Sequence, residues 1–183
     1  MILQNDKLRN RKNFSDGRTS HRIAISGLLS AFAVVISYIE AIIPINIGIP
    51  GVKPGFPNLV IIIVLYNYGI KEAGIVNLIR ILIVGFMFGN VMSIVFSITG
   101  ALLSLIIMWM AKKLPGISMI GVSVCGGVAH NIGQIVIAMF ITTVYSLTYY
   151  IPFLIIGGII TGMLIGITGN IIQHSLHKYG GIG

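Results

Sequence analysis

Long apolar runs, separated by short clusters of polar, Pro and Gly residues, fill the chain after its first 22 positions. Six runs can be drawn, over residues 23–43, 58–69, 73–88, 91–111, 119–143 and 152–172. A helix needs about 20 mostly apolar residues to cross roughly 30 Å of hydrocarbon, and most of these runs approach that length. None alternates as a barrel strand does, and lipid offers no water to backbone groups, so helix is the expected form. Residues 44–57, PINIGIPGVKPGFP, carry too much Pro and Gly for regular helix. The second run is short and is expected to begin within that loop or to stay partly re-entrant. Lys71-Glu72, Gly89-Asn90, residues 112–116 and a Tyr-rich turn at 145–150 mark the other breaks.

The pattern predicts an all-α integral membrane protein, a six-transmembrane-helix bundle. Its membrane domain covers residues 23–173, between a basic cytoplasmic tail at 1–22 and a cytoplasmic tail at 174–183. The run after the first tail is longer than a signal-peptide core and no small-residue cleavage site closes it, so it reads as a retained first helix. Composition agrees: 56% of the 183 residues are hydrophobic and only 9% charged, against roughly 25% charged in soluble domains. Short connections leave no room for a soluble catalytic domain.

The formal net charge of +8 raises nucleic-acid binding, but the placement of the charges points elsewhere. With the N-terminus inside and six spans, Lys7, Arg9, Arg11, Lys12, Arg18, Arg22, Lys71, Lys112, Lys113 and Lys178 fall inside, and only Lys53 outside. That asymmetry is a positive-inside signal with attraction to anionic headgroups, in the cell membrane with both termini cytoplasmic. No nucleic-acid partner is expected. Tyr145, Tyr149 and Tyr150 then sit near the outer interface, and the single cysteine, Cys125, is expected to pack as a small apolar residue.

Polar residues inside the runs are the candidate chemistry. An arginine at the centre of a span costs about 2.5–3.5 kcal/mol on insertion scales, so Arg80 must face protein or water, with Asn77 one turn before it. A guanidinium there suits a carboxylate or phosphate; the alternative is a structural pair with Glu40. His130, Asn131 and Gln134 lie within a little over one turn of the fifth run, flanked by glycines, and read as a lined cavity or as satisfied structural groups. On the outer loop, Lys53 is either a lid contact to an anionic ligand or a solvated lysine. Asn58 and Asn90 complete the candidate pocket set, Asn90 doubling as a helix cap.

Small residues offer close helix approach in lipid. Ser26, Ser30, Ala33 and Ser37 share one face of the first helix, with Gly27 and Ala31 beside them; they serve internal packing or the docking of a separate membrane subunit. The stripe Gly158, Gly162, Gly166 in the last run reads as internal packing. No phosphate-binding loop, nucleophile elbow or His-Glu-x-x-His motif occurs. The four acids, Asp6, Asp16, Glu40 and Glu72, form no Asp-rich magnesium motif of the sort diphosphate chemistry uses. No metal, cofactor or enzymatic activity is expected.

The stretches 25–43 with Ser37-Tyr38-Ile39-Glu40, Pro50-Gly51-Val52-Lys53 through Asn58-Leu59, Phe88-Gly89-Asn90, and Gly121-Val122-Ser123-Val124 through Gln134 together resemble the Gx transporter family. That family is also labelled heptaprenyl diphosphate synthase component I, and it is similar to the S components of energy-coupling factor (ECF) transporters. The resemblance implies a six-helix S-component fold that captures a small molecule, anionic or related to isoprenoids or flavins. It would dock on a transmembrane coupling protein driven by two cytoplasmic ATPase subunits. The first helix would then supply the docking surface and the loop holding Lys53 the lid. The Ser and Gly content of that helix departs from the Ala-rich face common among S components. Two other readings are a non-catalytic membrane component of prenyl diphosphate synthesis and a scaffold in a quinone or flavin electron-transfer system.

Overall fold

The computed structural model describes residues 20, 23–40, 42 and 55–179. Six helices follow one another: α1 (Ile23–Glu40), α2 (Pro57–Asn67), α3 (Ile70–Phe88), α4 (Val91–Lys113), α5 (Met119–Thr142) and α6 (Ile151–Tyr179). A 3-10 turn over Tyr145–Tyr150 leads into α6. No strand occurs among the described residues. The breaks fall where the sequence chemistry demands them. Pro57 opens α2 at a position that needs no N–H. Gly69, at φ +99°, makes the turn between α2 and α3. That turn lies just before Lys71-Glu72, which instead form the first turn of α3. Asn90 caps α4 by accepting the Ser93 N–H at 2.8 Å, and the Ser118 side chain caps α5 from Gly121 N–H.

Four helical segments, Ile23–Glu40, Val91–Lys113, Met119–Thr142 and Tyr145–Leu176, are long and apolar enough to cross a membrane. The other two of the six expected spans differ in kind. α2 has 11 residues, about 16 Å at 1.5 Å per residue, or half a bilayer core. α3 has 19 residues but carries Lys71, Glu72 and Arg80. The outward faces of the bundle are apolar: Leu28, Phe86, Phe140 and Leu164 are each at least 60% exposed. A water-soluble protein does not present so continuous an apolar surface, and this is a helical bundle of the membrane kind. Cys125 also lies on the exposed surface, not packed inside.

α5 packs on both α4 and α6, α3 on α4, and α2 on both α3 and α6, so five helices close a ring. The core is centred on α2, whose Val60, Ile61, Ile62, Val64 and Leu65 are almost completely buried, and Ala33, Leu29 and Ile36 bring α1 against it. Two polar devices fix the far end of this short helix. Lys112 Nζ donates to the carbonyls of Leu65 at 2.9 Å and Tyr66 at 3.3 Å, satisfying last-turn acceptors that have no partner within the helix. Asn67 and Gln173 exchange side-chain amide hydrogen bonds at 2.8 and 2.9 Å, joining α2 to α6. With Lys113 stacked 3.3 Å over the Trp109 ring, these groups form the basic end of the bundle.

Glycines set the spacing of α5 and α6. A Cβ on Gly158 would lie 2.8 Å from Val128 Cα, one on Gly162 2.6 Å from Val124 Cα, and one on Gly166 2.7 Å from Ile120 Cα. The stripe thus lays α6 directly on the backbone of α5, the internal packing expected of it. Gly100 and Gly133 make the corresponding contact between α4 and α5, with the Gly133 Cβ position 3.0 Å from Gly100 Cα.

Candidate functional site

At the end of the bundle opposite Lys112, all six helices border a cavity of about 540 Å³. A volume in the range of about 300–1,000 Å³ is usual for small-molecule sites. α2 begins at this cavity and runs away from it. Pro57 and Asn58 form part of the floor.

Arg80 enters the wall from α3 and is half-buried. Its Nε and Nη2 donate to Asn77 Oδ1 at 3.2 and 2.7 Å. Three residues apart on one helix, the two side chains are natural neighbours. Asn77 is only 5% exposed and lies behind the lining, so it orients Arg80 instead of facing the hollow. Glu40 of α1 lines the same cavity and accepts the Gly55 N–H at 2.8 Å. Among the described residues, the hydrogen bonds of the guanidinium both go to Asn77, while Glu40 acts on it through space. The expected structural pair is therefore an electrostatic relation across one cavity.

α5 brings His130, Asn131 and Gln134 to the lining. The His130 ring lies against Gly100, where α4 comes closest: a Cβ on Gly100 would stand 3.1 Å from His130 Cε1. A Cβ on Gly100 would stand 2.8 Å from both the His130 carbonyl oxygen and Gln134 Cγ; glycine is what lets α4 seat these side chains. Asn131 Nδ2 donates to the Leu154 carbonyl at 2.8 Å, which ties the polar patch to the first turn of α6. Asn58, Arg80, His130, Asn131 and Gln134 thus line one hollow. Asn90 does not join them: its amide oxygen is committed to the α4 cap, and it is exposed outside the lining. Lys53 lies outside the described residues, as do most of the N-terminal tail and the last residues of the C-terminal one.

Sequence reasoning missed part of the wall. Ser93 and Ser97 of α4, Phe88 of α3, Phe96 and Tyr150 also line the cavity. The one available signal was the spacing of Ser93 and Ser97, four apart on one face, just after the Asn90 cap. Phe88 is held by Tyr38 of α1, with ring centroids 5.0 Å apart. Among the described residues, no group of three or more His, Cys, Asp or Glu is placed to hold a metal ion.

The small-residue face of α1 is divided by the fold. Ser30, Ala33 and Ser37 are buried, and the hydroxyls of Ser30 and Ser37 donate to the carbonyls of Ser26 and Ala33 at 2.7 and 2.8 Å. Those three face the α2-centred core, while Ser26 is partly exposed. Gly27 and Ala31 remain exposed, and nothing lies within 4 Å of the Gly27 Cβ position.

A family model described as heptaprenyl diphosphate synthase component I matches residues 29–172. The chain belongs to that family. The match runs from α1 into α6 and so takes in the whole cavity wall. No curated protein matches the chain, and no solved structure does. The family description names a component of a synthase and assigns no catalytic residue to this chain.

Proposed function

We propose that the chain is the solute-binding membrane subunit of an ECF-type, ATP-driven importer. The observation that carries this reading is the cavity: a hollow of about 540 Å³ with an arginine, a histidine and three carboxamides in its wall, inside an otherwise apolar bundle. Intramembrane polar groups are expensive and, when they converge on a space, mark a ligand path. In this reading all six helices belong to the membrane unit. The basic end with Lys71, Lys112 and Lys113 faces the cytoplasm, and the cavity opens outward.

Energy enters through partners, a transmembrane coupling protein and two cytoplasmic ATPase subunits. The exposed small pair Gly27 and Ala31 on α1 is the proposed contact for the coupling protein, replacing the wider serine face. The test is co-purification with the coupling protein beside a thermal-stability measurement of solute binding. Ala31→Trp should lose the complex and keep binding; an intact complex with Gly27→Leu and Ala31→Trp both in place rejects the docking surface.

The family description favours a second reading, a non-catalytic membrane component that serves prenyl diphosphate synthesis. Prenyl diphosphate formation by the purified soluble synthase, with and without this chain in nanodiscs, separates the two. Dependence of the rate on this chain supports the second reading, and independence supports the importer.

A further inference from the structure

The chemistry of the cavity wall narrows the class of solute; this step rests on the solute-binding reading above. A guanidinium has five N–H donors in a fixed planar fork. Asn77 Oδ1 occupies the side edge of Arg80 by accepting from Nε and Nη2. What is left toward the cavity is the end-on pair, one N–H on each terminal nitrogen, together with the outer N–H of Nη1. Two parallel donors of that spacing match the two oxygens of one carboxylate, and equally two oxygens of one phosphoryl group.

Charge separates the two. Among the described lining residues, Arg80 is the one arginine or lysine and Glu40 the one carboxylate, so the permanent charges of the wall nearly cancel. One guanidinium can pair one anionic group; further negative charges on a ligand would meet no second cation among the described lining residues, and unpaired charge in a partly enclosed cavity is unfavourable. The remaining polar groups are neutral. The amides of Asn58 and Gln134 and the hydroxyls of Ser93 and Ser97 can bond an uncharged polar body, and Phe88 and Phe96 supply flat apolar surface.

We propose that the cavity binds a small organic monocarboxylate, held end-on by an Arg80 that Asn77 orients, and discriminates against diphosphates. Asn77 is a positioning residue in this scheme: it never touches the solute, but it decides which edge of the guanidinium the solute meets.

The test uses the full chain in detergent micelles, labelled with nitrogen-15 arginine, the Arg80 side-chain signal being assigned by its loss in Arg80→Gln. The probes are benzoate, benzamide and inorganic diphosphate. Benzoate should shift the Arg80 signal saturably, with an affinity at least tenfold above that for either other probe. Asn77→Ala should weaken benzoate binding and also narrow the benzoate-to-diphosphate ratio, which a purely structural defect would not change. Ala138→Phe and Ser97→Phe, each filling the hollow from a different helix, should abolish the response. Diphosphate binding as tightly as benzoate, and blocked by the filling variants, overturns the carboxylate class while leaving a solute cavity in place. A benzoate response that survives both filling variants overturns the cavity itself as the site. No saturable response to benzoate overturns the carboxylate inference, and the importer reading is then judged by the co-purification experiment alone.

Discussion

Replacing Gly162 with alanine adds one methyl group at the crossing of α5 and α6, where the structure leaves no space for it. The new Cβ would lie 2.6 Å from Val124 Cα, 2.9 Å from the Ser123 carbonyl oxygen and 3.1 Å from Val124 N. Relaxed carbon–carbon contacts are about 3.5–4.0 Å, so relief requires close to 1 Å of separation. All three obstructing atoms are backbone, and no side chain can rotate away. The helices must therefore part, and a gap of ~0.5–1 Å already forfeits a quarter to a half of the dispersion attraction along the seam. Inserting a methylene into a filled core costs typically about 1–3 kcal/mol. The rigid backbone contact places Gly162→Ala in the upper part of that range and Gly162→Val beyond it.

Gly27→Ala is the matched control, because nothing lies within 4 Å of its Cβ position; its effect should stay within about 0.5 kcal/mol. Reversible denaturant unfolding in mixed micelles, followed by circular dichroism, measures both variants. The reasoning fails if Gly162→Ala unfolds within about 0.5 kcal/mol of the unchanged protein, or costs no more than Gly27→Ala. Because Thr161, beside this glycine, lines the cavity, the same variant should also loosen the wall there and weaken solute binding.

Other expectations follow from the polar contacts. Lys112→Met leaves the Leu65 and Tyr66 carbonyls without their cation; a charge-assisted hydrogen bond is worth about 1.5–3 kcal/mol, and partial exposure should reduce the loss to about 1 kcal/mol. Amide exchange in the last turn of α2 should quicken in that variant, and unchanged exchange there would contradict the capping role. Asn67→Leu and Gln173→Leu, singly and together, should give a coupling energy of about 0.5–1.5 kcal/mol in a double-mutant cycle; additive effects would mean the amide pair does not hold α2 to α6. Asn90→Ala should cost about 1 kcal/mol through loss of the α4 cap with solute affinity unaltered, and a large drop in affinity without destabilisation would place Asn90 at the ligand after all.

The lengths of the apolar runs determined the helices, because the need to satisfy every backbone group in lipid is local and admits few alternatives. Hence residues 91–111 and 119–143 were legible as α4 and α5 to within a residue or two, and the Gly158, Gly162, Gly166 stripe announced a close crossing before any partner was known. The depth and cost of Arg80 likewise marked it from sequence alone. The rotation of each helix about its axis was not legible. In lipid the outward face is as apolar as the inward one, so hydrophobic periodicity does not say which side is buried.

For that reason Ser26, Ser30, Ala33 and Ser37 looked as available for docking as Gly27 and Ala31, and only packing against the core turned Ser30, Ala33 and Ser37 inward and left Gly27 and Ala31 exposed. The tertiary structure also decided the relation between Asn77 and Arg80, one behind the wall and one in it, and recruited Ser93 and Ser97. Above all it brought Asn58, Arg80 and His130 together. These residues belong to three different helices, and their meeting depends on a short α2 pinned at its far end by Lys112, a balance of lengths and contacts that no single segment encodes.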